Sequence, residues 1–171
     1  FMKYNYCPKC GGNLKETFLN QEKQPRLKCL KCGFIFYQNS KPTASALILD
    51  GNKVLLGKRK IDPAKGDWDI PGGFLELSEH PEDGLRREIR EELGVEIEIK
   101  NLLGIFMDIY GAEGEATLNL GYIVEIKQGQ PVAADDVEEL KWFDLNKLPK
   151  NMAFRSSKDM LDGIKKDVKK L

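Results

Sequence analysis

Two rhythms of apolar and polar residues run along this chain. From residue 44 onward, segments 44–50, 53–59, 95–99, 102–110, 117–127 and 140–144 either alternate apolar with polar positions or run continuously apolar. Short runs of that kind, rich in β-branched and aromatic side chains, predict strands. Gly51-Asn52 predicts a tight turn between the first two, residues 111–115 turn the chain back, and 145–149 form a further turn. Residues 60–69 read as a polar loop containing Pro63 and Gly66, and 70–76 as an extended approach to a helix. The second rhythm is helical. Leu85, Ile89 and Leu93 recur every fourth residue and predict a buried stripe. Pro81 suits the first turn of that helix, Glu82 and Asp83 favour its positive end, and Gly94 sits where a left-handed residue commonly closes a helix. His80, the single histidine, falls at the helix start. A second amphipathic helix, 156–171, places Met160, Leu161, Ile164, Val168 and Leu171 on one side. Strands bracketing two helices predict an α/β (α+β) fold, a mixed sheet sandwiched between helices.

Composition adds boundaries to this picture. With 171 residues and 41% hydrophobic residues the chain suits one ordinary domain plus a small module. Basic and acidic residues balance at 27 each, which points to no particular polyanion. The balance is uneven along the chain. Residues 1–41 carry eight basic and two acidic residues, a net +6, and 42–171 carry the compensating −6. A basic front could attract phosphate or RNA, but it lacks dense basic-aromatic interleaving, so nucleic acid is not the first choice of partner. Without a signal peptide or long apolar run, the expectations are a cytoplasmic location and no membrane partner. Phe1 before Met2 reads as the remnant of an expression tag. Ser40-Lys41-Pro42 reads as the hinge between a unit 1–41 and a unit 42–171.

The front unit carries its own chemistry. Cys7-Pro8-Lys9-Cys10 and Cys29-Leu30-Lys31-Cys32 are two CxxC pairs separated by 18 residues, each followed by glycine, Gly11 and Gly33. Two such knuckles supply four thiolates for a tetrahedral Zn²⁺; disulfides or free thiols are the competing readings, disfavoured in a reducing compartment. About 40 residues rarely bury enough to fold alone, and bound metal supplies the missing free energy. Such a ribbon would brace the neighbouring domain or a homodimer; ligand binding is the alternative role.

The acidic run in the first helix is the main functional signal. Glu88, Glu91 and Glu92 crowd one helical turn, where like charges three and four apart cost a few tenths of a kcal/mol per pair. Acidic runs are usually solvated faces, and Glu82 and Asp83 keep that reading. A hard divalent cation, Mg²⁺ or Mn²⁺, would relieve the crowding of the other three and leave sites for water and phosphate oxygens. The register is specific: Gly73, five residues, Glu79, seven residues, Arg87, Glu88, Ile89, one residue, Glu91, Glu92, one residue, Gly94, Val95.

This register resembles, at every fixed position, the signature box of the Nudix hydrolases. The resemblance implies a Nudix α/β/α sandwich preceded by a zinc ribbon. It implies metal ligation by Glu88, Glu91 and Glu92, with the Gly73 carbonyl a further ligand, and an orienting pair in Arg87 and Glu79. One of the glutamates, or an acid on a later loop, would serve as base. Asp136, Glu138 and Glu139 precede Trp142 on such a loop, with Glu139 slightly favoured. For the substrate, Trp68 and Phe74 flank the glycine turn and could stack on an adenine or flavin ring, although packing is the default for both. Lys58 and Arg59 could reach a phosphate, or simply end a solvated strand. Tyr110 lies where relatives vary with substrate, and a plain sheet residue is the alternative.

The likeness extends along the chain through residues 37–42, LLGKR (55–59), GDWDIPGGFLE (66–76) and AFRSS (153–157). It resembles the zinc-ribbon Nudix proteins that include FAD and ADP-ribose pyrophosphatases. NADH pyrophosphatases carry a Ser-Gln-Pro-Trp-Pro-Phe-Pro array after the box, whereas NLLGIFMDIYGAEGEA here has neither proline nor tryptophan. The expected activity is metal-dependent hydrolysis of the diphosphate in a nucleoside diphosphate-linked small molecule, with ADP-ribose or FAD leading. The alternatives are a nucleoside triphosphate pyrophosphohydrolase and a zinc-ribbon nucleotide- or RNA-binding module with an inactive domain.

Overall fold

The structure, a computed structural model, describes residues 4–20 and 22–168. It divides into two compact units, Phe1–Ser40 and Lys41–Leu171. The first holds three short strands, β1 (Leu14–Thr17), β2 (Arg26–Cys29) and β3 (Ile35–Phe36), antiparallel in the order β1-β2-β3. Each CxxC pair sits on a matching turn. Gly11 N–H donates to the Cys7 carbonyl at 2.9 Å and Gly33 N–H to the Cys29 carbonyl at 3.1 Å, both glycines having positive φ.

The second unit runs β4 (Lys41–Asp50), β5 (Lys53–Arg59), β6 (Trp68–Asp69), β7 (Gly72–Phe74), α1 (Pro81–Leu93), β8 (Glu96–Tyr110), β9 (Glu115–Gln128), β10 (Val137–Asp144) and α2 (Arg155–Val168). Its sheet has the order β10-β5-β4-β9-β8, with β6 on β5 and β7 on β4. The β4–β9 pair is parallel and the other pairs antiparallel, so the sheet is mixed.

Period-two alternation divides the strands between two cores. Ala44, Ala46, Ile48 and Leu55 pack with Leu85, Ile89 and Leu93 of α1. Leu47, Val54 and Leu56 pack on the other side with Met160, Leu161 and Ile164 of α2. A strand buried on both faces reads as a continuous apolar run, which is why 44–50 lacks clean alternation. The α/β/α sandwich expected from the sequence is therefore the observed architecture. The side chain of Val168, and Leu171 altogether, lie outside what the structure describes. No helix among the described residues is long and apolar enough to cross a membrane.

Several segments differ from expectation, among them the expected hinge, whose Lys41 and Pro42 begin β4 and pair with Thr117 and Leu118. Trp68–Asp69, at the end of the expected loop, pairs with Gly57 and Lys58 as β6. The segments 95–99 and 102–110 are one strand, β8, whose register shifts between Ile99 and Asn101 and between Leu102 and Gly104. Those bulges break the alternation that makes the sequence read as two pieces. Strand β10 starts at Val137 rather than 140 because exposed Glu138 and Glu139 hide the start of the ladder from a hydrophobicity reading.

Helix α1 begins and ends on sequence signals. The His80 side chain accepts the Glu82 N–H, Pro81 occupies the first turn, and Gly94 takes φ 65° with its N–H donating to the Arg90 carbonyl.

Candidate active site

The site arises where β4 and β5 part. They pair only at Leu49–Val54 and Asp50–Lys53. Beyond that point β7 fills the place beside β4, and β6 the place beside β5. The turn between them, Pro71-Gly72-Gly73, is anchored by the Ala46 N–H donating to the Pro71 carbonyl at 2.8 Å. Gly72 has φ 137°, and a Cβ there would lie 2.1 Å from the Ala44 carbonyl oxygen, so only glycine fits. A Cβ at Gly73 would stand 2.5 Å from the Glu88 carboxyl. The turn is thus pressed against the acidic face of α1.

Arg87 organises that face. Its Nε and Nη2 donate to the two oxygens of Glu79 at 2.9 and 3.0 Å, and Nη2 also to the Phe74 carbonyl at 3.2 Å. Nη1 donates to Glu88 at 2.7 Å and Glu91 at 3.2 Å. The hydrogen bonds from Arg87 and from the Glu76 N–H hold the Glu79 carboxyl down to about 2. Glu92 is buried and accepts the Gly72 N–H at 2.8 Å. Burial first, then the charge of Asp136, pushes its carboxyl well above the ordinary range. Glu88 is raised too, chiefly by burial, against the pull of Arg87.

A cleft of about 230 Å³ opens onto these groups. Gly73, Glu88, Glu92 and Asp136 line it, as do the rings of Phe74, Tyr110 and Phe154. The rings meet each other: Phe74 and Tyr110 edge-on at 5.2 Å, Tyr110 and Phe154 tilted by 30° at 5.5 Å. Arg59 lies over the Phe154 ring at 5.2 Å. Asp69 also lines the cleft, its Oδ1 accepting the Ser157 hydroxyl and the Ile70 N–H.

The sequence-predicted residues separate accordingly. Gly73, Glu88, Glu92, Arg59, Phe74 and Tyr110 face the cleft. Glu79 and Arg87 form the pair that steadies the turn. Glu91 is half exposed, bonded to Arg87, and does not line the cleft. Two expectations need correction. Trp68 is 9% exposed and packs edge-on against Phe143 at 4.7 Å in the α2-side core, since the pairing of β6 with β5 turns it away from the cleft. Glu139 stands opposite Lys58 on the β10–β5 ladder and is exposed; the loop acids that line the cleft are Asp135 and Asp136. Phe154, Asp69 and Ser157 receive no role from the sequence. The motif AFRSS holds two of them, but only the packing of α2 shows which way they point.

Both metal assignments can be tested on donor chemistry. The four cysteine sulfurs lie within 4.8 Å of one another, with Cys7–Cys32 at 3.8 Å and Cys10–Cys29 at 3.5 Å. Tetrahedral Zn–S bonds of about 2.3 Å would set sulfurs about 3.8 Å apart, so the cluster fits zinc. The N–H of Cys32 helps hold Cys29 down to about 6; at Cys10 the Gly12 N–H is outweighed by the neighbouring thiols and burial, which push it up to about 12. Among the described residues the box carboxylates do not converge as the cysteines do. They nonetheless fit a hard cation: Glu88 and Glu92 are desolvated oxygen donors on one cleft wall that repel each other and Asp136.

Comparison with known proteins agrees with this geometry. A family model described as NUDIX domain matches residues 39–162, and a zinc-ribbon model described as Nudix N-terminal matches 5–38. The ADP-ribose pyrophosphatase of Methanocaldococcus jannaschii is 36% identical over 126 residues, spanning 74% of this chain and 74% of that protein. The NAD-capped RNA hydrolase NudC of Pseudomonas aeruginosa is 31% identical over 155 residues, covering 88% of this chain; the chain spans about half, 51%, of that relative's length. A NUDIX hydrolase structure from Nitrosomonas europaea matches with a TM-score of 0.76 at 29% identity, covering 92% of this chain and 88% of that one. A MutT NUDIX hydrolase from Burkholderia pseudomallei gives 0.69 at 31% identity, covering 74% and 98%.

Proposed function

The chain belongs to the Nudix hydrolase family, and from that premise we propose that it cleaves the diphosphate bridge of an adenine-containing nucleoside diphosphate compound, ADP-ribose first and FAD second. One observation carries the reading: carboxylates (Glu88, Glu92, Asp136) and aromatic rings (Phe74, Tyr110, Phe154) line a single cleft. A diphosphate with a flat ring attached matches both kinds of lining at once. The 36% identity to an ADP-ribose pyrophosphatase supports it.

In this reading residues 1–41 are a structural zinc ribbon and 42–171 the hydrolase domain. Glu88, Glu91 and Glu92, with the Gly73 carbonyl, would hold Mg²⁺ or Mn²⁺. Such a cation, when bound, neutralises the diphosphate and lowers the pKa of the attacking water. Arg87 bridges Glu79, Glu88 and Glu91, so the carboxylates are oriented before any ligand arrives. Asp136 faces the cleft beside Glu92 and is the acid placed to accept the proton of the attacking water. Two monophosphates then leave.

The test is turnover of ADP-ribose, FAD, NAD and nucleoside triphosphates with product identification. The expected products of ADP-ribose are AMP and ribose 5-phosphate, without pyrophosphate. Glu92→Gln should lose about a hundredfold or more in kcat, in line with removal of a group that stabilises the transition state. Release of pyrophosphate from triphosphates, with ADP-ribose untouched, would replace this reading with a triphosphatase. Preferential cleavage of NAD would favour the second reading, suggested by the likeness to NAD-capped RNA hydrolases over both units.

A further inference from the structure

Asp69 occupies a position that nothing in the box explains. Its side chain is 17% exposed and lines the cleft. Oδ1 is fully used by the Ser157 hydroxyl and the Ile70 N–H. Among the described residues Oδ2 makes no hydrogen bond, and no buried side-chain polar atom lacks a partner, so this oxygen is open to solvent. Arg59 stands beside it, Nη1 to Oδ2 at 3.7 Å, an ion pair too long to be a hydrogen bond. Arg59 is itself fixed, by Nε donating to the Pro63 carbonyl at 2.7 Å and by lying over the Phe154 ring. Among the described residues its Nη1 and Nη2 make no hydrogen bond, and Nη1 has only the ion pair to Asp69. An acceptor and a donor therefore stand side by side at the edge of an aromatic wall.

We propose that Asp69 and Arg59 read the edge of a purine base seated against Phe154 and Tyr110, Asp69 accepting from the exocyclic amine of adenine and Arg59 donating to the adjacent ring nitrogen. This rests on the diphosphate-hydrolase reading above and deepens it by naming the base. Adenine offers such a donor and acceptor next to each other. Hypoxanthine, held by the same diphosphate and the same rings, places a carbonyl oxygen where the amine was, and two acceptors then oppose. The tie from Ser157 on α2 to Asp69 fixes the reader to the strand beside the Gly72-Gly73 turn, so base and diphosphate are measured by one rigid frame.

The experiment compares kcat/KM for ADP-ribose and its hypoxanthine counterpart at pH 8, where Asp69, pushed up by burial to about 6, is ionised. The wild-type chain should prefer adenine by about tenfold or more, the discrimination of one good bidentate base contact. Asp69→Asn keeps the acceptor for Ser157 and Ile70 but turns an amide N–H₂ toward the base. The preference should fall to parity or invert. Absence of a wild-type preference, or equal losses on both substrates in Asp69→Asn, overturns the proposal. Calorimetric binding of AMP and IMP without divalent metal reads the same preference independently of turnover. If neither diphosphate is hydrolysed, the reading of the reaction fails, while the AMP-to-IMP ratio still decides the role of Asp69.

Discussion

Asp69 shows what partial burial of a single carboxyl does to the stability of its surroundings. Burial raises it to about 6, against an ordinary 3.8, despite Ser157, Arg59 and the Ile70 N–H favouring the charge. The folded chain therefore keeps a proton that the unfolded chain releases. Stability from that proton is complete below pH 3.8 and is lost as pH rises to about 6. Asp69→Asn, neutral throughout, escapes the loss. In metal-free protein the variant should match wild type near pH 4 and exceed it at pH 8 by up to about 3 kcal/mol, read by denaturant titration. A constant difference across that range would show that Asp69 is not the titrating group. Glu79 works with the opposite sign: held down to about 2, it stabilises above its ordinary 4.5 and that contribution disappears as pH falls toward 2. At this scale the sequence is legible where chemistry fixes spacing. Glu79 and Arg87, eight residues apart, do pair. It is illegible where a strand's rotation decides: Trp68 and Asp69 are neighbours, and β6 sends one to the core and the other to the cleft.

Among elements, the turn between β6 and α1 separates folding from chemistry within two residues. A Cβ at Gly72 meets main chain, the Ala44 carbonyl oxygen at 2.1 Å and the Ser45 Cα at 2.8 Å, and β4 cannot yield. The atoms nearest a Cβ at Gly73 are those of the Glu88 carboxyl, the far end of a side chain rather than main chain. Gly72→Ala should therefore cost about 2 kcal/mol or more in unfolding free energy. Gly73→Ala should unfold near the wild-type midpoint but bind Mn²⁺ more weakly, by about tenfold or more if one carboxylate ligand is displaced, because Glu88 must leave its place on the cleft wall. Parallel unfolding curves and Mn²⁺ titrations distinguish the two; equal destabilisation would mean that Glu88 is as rigid as the strand. The helix behind this turn is readable from the 85-89-93 stripe and from its caps. The lengths of β8 and β10 are not, because bulges and exposed acids interrupt the periodic signal without interrupting the hydrogen-bond ladder.

For the molecule as a whole, the two units rest on different sources of stability. The second has two extended apolar cores, one under each helix. In the first, the only buried apolar residues among those described are Cys7 and Cys29, and its strands span four, four and two residues. Side-chain burial on that scale cannot offset the conformational entropy of ordering the segment. Four thiolates on one Zn²⁺ can, since metal binding free energy becomes folding free energy. The spacing of the cysteines alone announces this imbalance, whereas the cleft depends on the parting of β4 and β5, a tertiary event with no local signature. A zinc-selective chelator should then release protection from the amides of β1 and β2 in hydrogen exchange while β4 and β9 stay protected. Adding Zn²⁺ back should restore the first set alone. Joint loss of protection in both units on chelation would show that the ribbon's metal also supports the hydrolase fold, and retention in both would show that the cysteines hold their shape without it.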